Sequence, residues 1–229
     1  MTGQTPLVDR RSSDAVIQQP LTPERHTMRE VECFFDCSSP WTYLGFHNLQ
    51  PLADELGATV RWRPILVGGV FNAVNPSVYA SRENPVPAKL AYSKKSMQDW
   101  AALAGLRIVF PPAVFPVNSV KAMRGCIALA DDTPQMLRFA RAVFEAYWTD
   151  QRDISQDAEL AAVCERVGID RAWLFEAIAQ PAVKAQLKAN TDELIARGGF
   201  GSPTMFVNRA DMYFGNDALP LVRQALLRG

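Results

Sequence analysis

The sequence is poor in the residues that most often carry acid–base, metal and disulfide chemistry. It has only two histidines, His26 and His47, and four cysteines. The cysteines are Cys33, Cys37, Cys126 and Cys164. None of them forms a CxxC pair or a metal-ligand spacing. With only two histidines, one of them in the predicted leader, neither a histidine-based triad nor a His-rich metal site is expected. We therefore expect no metal, and thiols that stay reduced, as in a cytoplasmic protein.

The sequence also lacks an excess of charge of one sign and a long apolar segment near its start. Its 24 basic and 24 acidic residues give a formal net charge of zero, so a broad nucleic-acid-binding face is not expected. Residues 1–30 are polar, with several prolines, which predicts a disordered leader and no membrane anchor. A targeting segment is the alternative for this leader, and a natural start at Met28 instead of Met1 stays open.

What is present is the composition of an ordinary globular protein, with 48% hydrophobic and 21% charged residues. Val31–Phe35 predicts a strand, Pro40–Leu56 a helix that ends at Gly57, and Thr59–Leu66 a second strand. A strand, a helix and a strand of these lengths form a βαβ unit. Its crossover should be right-handed and its strands parallel.

The middle of the chain is predominantly helical. Asn72–Pro87 is rich in Asn, Ser and Pro and predicts a loop. The helices predicted after it lie near Pro87–Ala104, Ser119–Ala130, Pro134–Trp148, Gln156–Val167, Arg171–Ala179 and Pro181–Arg197. Thr204–Val207 and Met212–Phe214 then predict a hairpin, followed by a last amphipathic helix. The element order is therefore βαβ, a helical insertion, and ββα.

The turn after the first strand places a serine at the start of a helix. Ser39 stands at the N-cap position, and Pro40 follows at the first helical position, where its missing N–H and fixed φ cost nothing. The side chain of Ser39 therefore points to the positive end of a helix. Such an end binds anions, thiolates included, although a plain N-cap is the alternative.

This element order resembles the thioredoxin fold, in which a proline, here Pro203, precedes the third strand. The helical insertion resembles the branch that holds DsbA-type oxidoreductases, kappa-class glutathione transferases and 2-hydroxychromene-2-carboxylate isomerases. The resemblance implies an α/β thioredoxin-like fold. It divides the chain into a thioredoxin half, residues 31–71 and 198–229, and a helical insertion, residues 72–197.

Redox members of this family carry Cys-Pro-Trp-Cys followed by Tyr, where this chain has Ser39-Pro40-Trp41-Thr42-Tyr43. Hydroxyl side chains cannot form a disulfide, so redox chemistry through this pair is excluded. Cys37 precedes the motif by two positions. We interpret it as a small buried hydrophobe, with a reactive thiol as the less favoured alternative.

The serine resembles that of the transferases and isomerases, in which bound glutathione supplies the thiol. The resemblance implies that Ser39 donates a hydrogen bond to this thiol and that the helix N-terminus lowers its pKa. The other glutathione-binding positions that it implies are Asn75 and Lys89 for the glycyl carboxylate, Ser202 and Pro203 for the cysteinyl backbone, and Asn216 and Asp217 for the γ-glutamyl end. Solvated charge for Lys89 and ordinary capping for Asn216 and Asp217 are the alternatives.

The aromatic residues suggest where a flat substrate would bind. We expect Trp41, Tyr43, Phe71 and Tyr92, together with Tyr79 and Phe200, to line a cavity between the insertion and the thioredoxin half. For each of them a place in the core is the alternative. The segment Pro64–Phe71 resembles the isomerases more than the transferases.

The resemblance therefore implies a glutathione-dependent isomerase that converts 2-hydroxychromene-2-carboxylate to trans-o-hydroxybenzylidenepyruvate, or acts on a related intermediate of aromatic degradation. Glutathione is the one cofactor, a small aromatic molecule is the substrate, and a homodimer is expected. A kappa-like transferase is the first alternative. A redox-inactive thioredoxin-fold binding module is the second.

Overall fold

The chain folds into a four-stranded sheet with helices on both faces. The structure, a computed structural model, describes residues 1–3 and 29–228, so residues 4–28 of the predicted leader lie outside it. The elements are β1 (Glu30–Phe35), α1 (Pro40–Leu56), β2 (Thr59–Pro64), α2 (Val67–Val74), α3 (Ser77–Glu83), α4 (Pro87–Leu103), α5 (Val120–Ala128), α6 (Thr133–Phe144), α7 (Asp157–Val167), α8 (Arg171–Ala179), α9 (Pro181–Ala196), β3 (Thr204–Val207), β4 (Asp211–Phe214) and α10 (Leu219–Arg228). A π-helical turn, Glu145–Thr149, extends α6, and a 3₁₀ turn, Asn216–Ala218, precedes α10.

The sheet has the strand order β2-β1-β3-β4. β1 pairs in parallel with β2, whereas β1 with β3 and β3 with β4 pair antiparallel. A parallel pair joined by α1 and an antiparallel hairpin that leads into α10 are the predicted βαβ and ββα units. The predicted thioredoxin-like α/β fold is therefore confirmed.

The two faces of the sheet bury separate sets of side chains because successive residues of a strand point to opposite faces. Val31, Cys33 and Phe35 of β1 join a large apolar cluster that continues through α1 into the helical insertion. The ring of Phe144 on α6 stacks on that of Tyr43 with their centroids 5.0 Å apart. Burying an aromatic side chain in this way contributes about 1.5–3 kcal/mol. The insertion is thus packed directly onto the first helix of the thioredoxin half.

The opposite face carries a buried charge network. Glu32 is 4% exposed and forms ion pairs with Arg63 at 3.2 Å and Arg197 at 2.8 Å. The Arg197 guanidinium also lies 3.7 Å from the centroid of the Phe206 ring. A buried carboxylate is tolerated there because cations and an aromatic face surround it.

Among the described residues, no helix is long and apolar enough to cross a membrane.

The segment Asn72–Pro87, predicted to be a loop, instead contains the end of α2 and all of α3. The start of α2 has no capping side chain of its own. Distant residues take its first N–H groups: Asp36 Oδ2 accepts that of Val67 at 2.8 Å, and Thr191 Oγ1 accepts that of Leu66 at 3.0 Å. A helix capped from elsewhere in the fold shows no start signal in its own sequence.

Thr191 offers a test of this remote cap. Its hydroxyl accepts from Leu66 and donates to the Leu187 carbonyl at 2.9 Å. We expect Thr191→Val, which keeps the side-chain shape, to lower the free energy of unfolding by about 1–2 kcal/mol because the Leu66 N–H loses its partner. Urea denaturation measures this loss. Thr59→Val, at an exposed strand position, should change it by less than about 0.5 kcal/mol, and equal losses in the two variants would contradict the prediction.

Candidate active site

A cavity of about 560 Å³ opens where α1 begins, between the sheet and the helical insertion. The turn before α1, the starts of α2 and α5, the helix α3, the segment around Pro116 and the loop before β3 all contribute to its walls. Its surface is mainly apolar, with serine hydroxyls and amide groups in between. This combination suits a flat organic ligand with a few polar groups.

Ser39 faces this cavity from the N-terminus of α1. Its Oγ accepts the N–H of Thr42 at 3.2 Å, which is the capping bond, and donates to the Ser202 carbonyl at 3.3 Å. The second hydrogen bond is longer than the usual range, so the Ser39 hydroxyl can donate instead to a better-placed acceptor in the cavity. Among the described residues the N–H of Trp41 has no hydrogen-bond partner. A hydroxyl donor and a free N–H therefore meet at the positive end of a helix.

The loop that carries Ser202 lies against this helix start. The Ser202–Pro203 peptide bond is cis. The Ser202 and Thr42 hydroxyls lie 2.8 Å apart, so the two positions that correspond to the cysteines of redox relatives, 39 and 42, both contact Ser202. An oxygen-based network thus occupies the place of a disulfide.

Arg82 is the one charged side chain that lines the cavity in the described part of the chain. Its guanidinium lies 5.7 Å from the centroid of the Phe71 ring and 5.2 Å from that of Phe115. No ion pair joins it to another residue among 1–3 and 29–228. A cation held by aromatic faces without a carboxylate partner is available to a ligand anion. The sequence interpretation missed Arg82 because its place in the cavity depends on tertiary contacts with Phe71 and Phe115 that no local pattern shows.

A family model described as the DsbA-like thioredoxin domain matches residues 30–227. The chain belongs to this family.

Two named relatives match most of the chain. It is 32% identical to the 2-hydroxychromene-2-carboxylate isomerase of Pseudomonas putida over 201 residues, which cover 86% of this chain and 94% of that protein. It is 28% identical to human glutathione S-transferase kappa 1 over 211 residues, with 86% and 91% covered. A solved structure of a 2-hydroxychromene-2-carboxylate isomerase superposes with a TM-score of 0.72 at 30% identity, covering 87% of this chain and 95% of that one. The predicted kinship to these isomerases and transferases is confirmed.

The DsbA-like fold brings several predicted site residues into the one cavity. Those that line it are Ser39, Trp41, Phe71, Asn75 and Ser202, and Tyr79 and Phe200 join them. The Asn75 amide donates to the Phe200 carbonyl at 3.1 Å, so it links the α2–α3 segment to the loop before β3. These residues come from parts of the chain more than a hundred positions apart, and only the fold joins them.

Tyr43 and Tyr92 do not line the cavity, which corrects their predicted role. Tyr43 is 3% exposed and lies in the core. It follows Trp41 by two positions, which is a rotation of about 200° around the axis of α1, so the two side chains point in nearly opposite directions. Tyr92 is 72% exposed on α4 and points to solvent. Lys89 also lies outside the lining, although it shares a face of α4 with Ser93, which lines the cavity. Its contact with a glutathione carboxylate stays a prediction.

Pro203, Asn216 and Asp217 also lie outside the cavity lining. Asn216 is 1% exposed, and its Oδ1 accepts from the Asn48 amide at 2.8 Å, so its side chain ties the turn before α10 to α1. Its amide nitrogen is buried and has no hydrogen-bond partner among the described residues, and its contact with a ligand stays a prediction. The Asp217 side chain is exposed, and its contact with a ligand ammonium stays a prediction.

The four cysteines lie in the interior of the DsbA-like fold. Burial raises the pKa of the Cys37 thiol well above its usual value, and the neighbouring Asp36 carboxylate adds to this. A thiol that stays protonated and out of the cavity is a poor nucleophile. In the described residues no group of three His, Cys, Asp or Glu side chains is arranged to hold a metal ion.

Gly45 allows α1 to contact the cis-proline loop closely. A Cβ at this position would lie 2.9 Å from Pro203 Cγ. We expect Gly45→Ala to lower the free energy of unfolding by about 1–3 kcal/mol because the loop must move, even though alanine favours the helix. Gly68→Ala is the matched control, since no atom lies within 4 Å of its added carbon, and it should be neutral or stabilising. Denaturation curves in which Gly45→Ala equals or exceeds wild-type stability would contradict the close contact.

Proposed function

We propose that the protein binds glutathione at the start of α1 and catalyses the isomerisation of 2-hydroxychromene-2-carboxylate or a related aromatic carboxylate. The observation that carries the proposal is that Ser39 and Arg82 line the same cavity. Ser39 is a hydroxyl donor at a helix N-terminus, and Arg82 is a cation that has no carboxylate partner in the part of the chain that the structure describes. The named activities of the relatives support it. A reducing cytoplasm, where glutathione is abundant, fits the four free cysteines.

The residues at the start of α1 fit the thiol end of glutathione. When bound, glutathione would supply a thiolate that adds reversibly to the conjugated system of the substrate. Ser39 Oγ and the Trp41 N–H would donate to the sulfur, and the helix N-terminus would favour its negative charge. Together they would bring a thiol pKa from near 8.5 toward neutral pH. The chain has no thiol of its own in the cavity, so a sulfur bound by these groups must come with a ligand.

The far wall of the cavity fits an aromatic acid. The Arg82 guanidinium presents paired N–H donors that match a carboxylate. The rings of Phe71 and Phe115 pack near this guanidinium. The surrounding aromatic side chains, Trp41 and Tyr79 among them, provide faces for a ring. A neutral electrophile would leave this cation unused. Arg82 therefore favours an isomerase of an anionic substrate over a transferase.

Spectrophotometry of 2-hydroxychromene-2-carboxylate with and without glutathione tests the proposal. We expect interconversion with the benzylidenepyruvate form only when glutathione is present, with no loss of glutathione. A stable conjugate with a chlorinated nitroarene and no interconversion would instead support a kappa-like transferase. Calorimetry that detects no glutathione binding would exclude both enzymes.

A further inference from the structure

Asp36, at the end of β1, is a hub beneath the cavity. It is 1% exposed and does not itself line the cavity. Within the described residues Asp36 makes five hydrogen bonds. Its carbonyl accepts the Ser39 N–H at 3.2 Å, and its own N–H donates to Ser202 Oγ at 3.0 Å. Oδ1 accepts the Ser38 N–H at 2.9 Å, and Oδ2 accepts the Val67 N–H at 2.8 Å and the Ser119 hydroxyl at 3.1 Å. All five partners line the cavity.

These partners belong to four separate parts of the chain. They are the turn into α1, the first residue of α2, the residue before α5, and the cis-proline loop. Buried backbone N–H groups must find acceptors, so a carboxylate that takes those of Ser38 and Val67 fixes α1 and α2 relative to each other. Moving Asp36 would therefore move several walls of the cavity together.

The side-chain oxygens of Asp36 are held by three groups. Two are the backbone N–H groups of Ser38 and Val67, which can only donate, and the third is the Ser119 hydroxyl. Burial raises the pKa of this carboxyl group, and its hydrogen bonds oppose the rise. A buried carboxyl group with three such partners is strongly oriented.

We propose that Asp36 is the positioning residue of the site, which holds Ser39 and Ser202 at the spacing that the ligand thiol needs and sets the α2 and Ser119 walls around the substrate. It touches neither ligand. The expected effect of Asp36 on catalysis rests on the proposed function, whereas its expected effect on the hydrogen bonds around it does not. The two effects are tested separately.

The structural consequence is tested without ligand. In Asp36→Asn the amide nitrogen cannot accept, so the N–H of Ser38 or of Val67 loses its acceptor. Hydrogen exchange followed by NMR should show about tenfold faster exchange at one or both of these amides, as the loss of one hydrogen bond implies. Glu32→Gln, an equivalent change at a buried carboxylate on the other sheet face, should leave them unchanged. Unaltered exchange in Asp36→Asn would overturn the proposal.

The catalytic consequence is tested with glutathione and the chromene. In Asp36→Asn we expect kcat to fall about a hundredfold, as for a small misplacement of reacting groups, and the pKa of bound glutathione, followed by thiolate absorbance, to rise. Glu32→Gln should change neither. If wild type binds no glutathione, the proposed function fails and the exchange experiment alone decides the role of Asp36. A wild-type kcat and thiol pKa in Asp36→Asn would overturn the positioning role.

A second variant covers the case in which Asp36→Asn does not fold. Ser119→Ala removes one of the three donors and leaves both backbone contacts in place. We expect it to raise KM for the chromene several-fold while the glutathione Kd stays within about twofold, because Ser119 lies at the start of α5 and not in the turn before α1 where the thiol is proposed to bind. Unchanged KM in a folded Ser119→Ala variant would overturn the proposed wall-setting role.

Discussion

Ser39→Ala should retain the fold and lose most of the glutathione-dependent turnover. We expect kcat/KM for the chromene to fall about 10²- to 10³-fold, the usual loss when one preorganised donor to a developing anion is removed. The pKa of bound glutathione should rise at the same time, because its thiolate loses the hydroxyl donor. Spectrophotometric rates and thiolate absorbance, each measured across pH, check the two effects.

The control for Ser39→Ala must remove a helix cap without touching the cavity. Asp132 caps α6 by accepting the Gln135 N–H at 3.0 Å, so Asp132→Ala costs about 1 kcal/mol of stability, as Ser39→Ala should. Both variants should unfold at similarly reduced denaturant concentrations. Only the Ser39 variant should lose turnover. Equal rates in the two variants would mean that Ser39 is only a cap.

The parts of the fold that the sequence predicted well are those with local signals. Ser39 caps its own helix three residues on, Pro40 follows it, and Gly57 ends that helix in the left-handed conformation with φ of 60°. The strands and helices of the βαβ and ββα units likewise follow from the periodicity of residues that are neighbours in the sequence. Such elements need no knowledge of the rest of the chain.

The parts that it missed depend on distant partners. Asp36 lies in the turn predicted between the first strand and the first helix, and no local pattern shows its partners. Its carboxyl group forms hydrogen bonds with Val67 and Ser119, 31 and 83 positions away, and its N–H donates to Ser202, 166 positions away. The start of α2 is capped by one of these contacts, that of Val67, and by Thr191, which lies 125 positions from Leu66, so no local signal marks the start of this helix. Tyr43 was assigned to the cavity from its type, while its position around the helix sends it into the core. Contacts of this kind follow from tertiary packing, which no local pattern contains.

Arg82→Gln should weaken the binding of an anionic substrate specifically. A hydrogen bond to a charged group contributes about 1.5–3 kcal/mol, so KM for the chromene carboxylate should rise about 10- to 100-fold with little change in kcat. Arg82→Lys should recover only part of the loss, since lysine keeps the charge but lacks the paired donors. Arg171→Gln, at an exposed position on α8 outside the cavity, is the matched control and should behave as wild type.

Arg82→Gln also distinguishes two candidate ligands of Arg82, the carboxylate of the substrate and the glycyl carboxylate of glutathione. If it binds the substrate, the glutathione Kd from calorimetry stays unchanged in Arg82→Gln, and so does the rate with a neutral electrophile. A raised glutathione Kd with an unaltered chromene KM would assign Arg82 to the cofactor. The cation would then no longer favour an isomerase over a transferase, because both bind the same glutathione carboxylate.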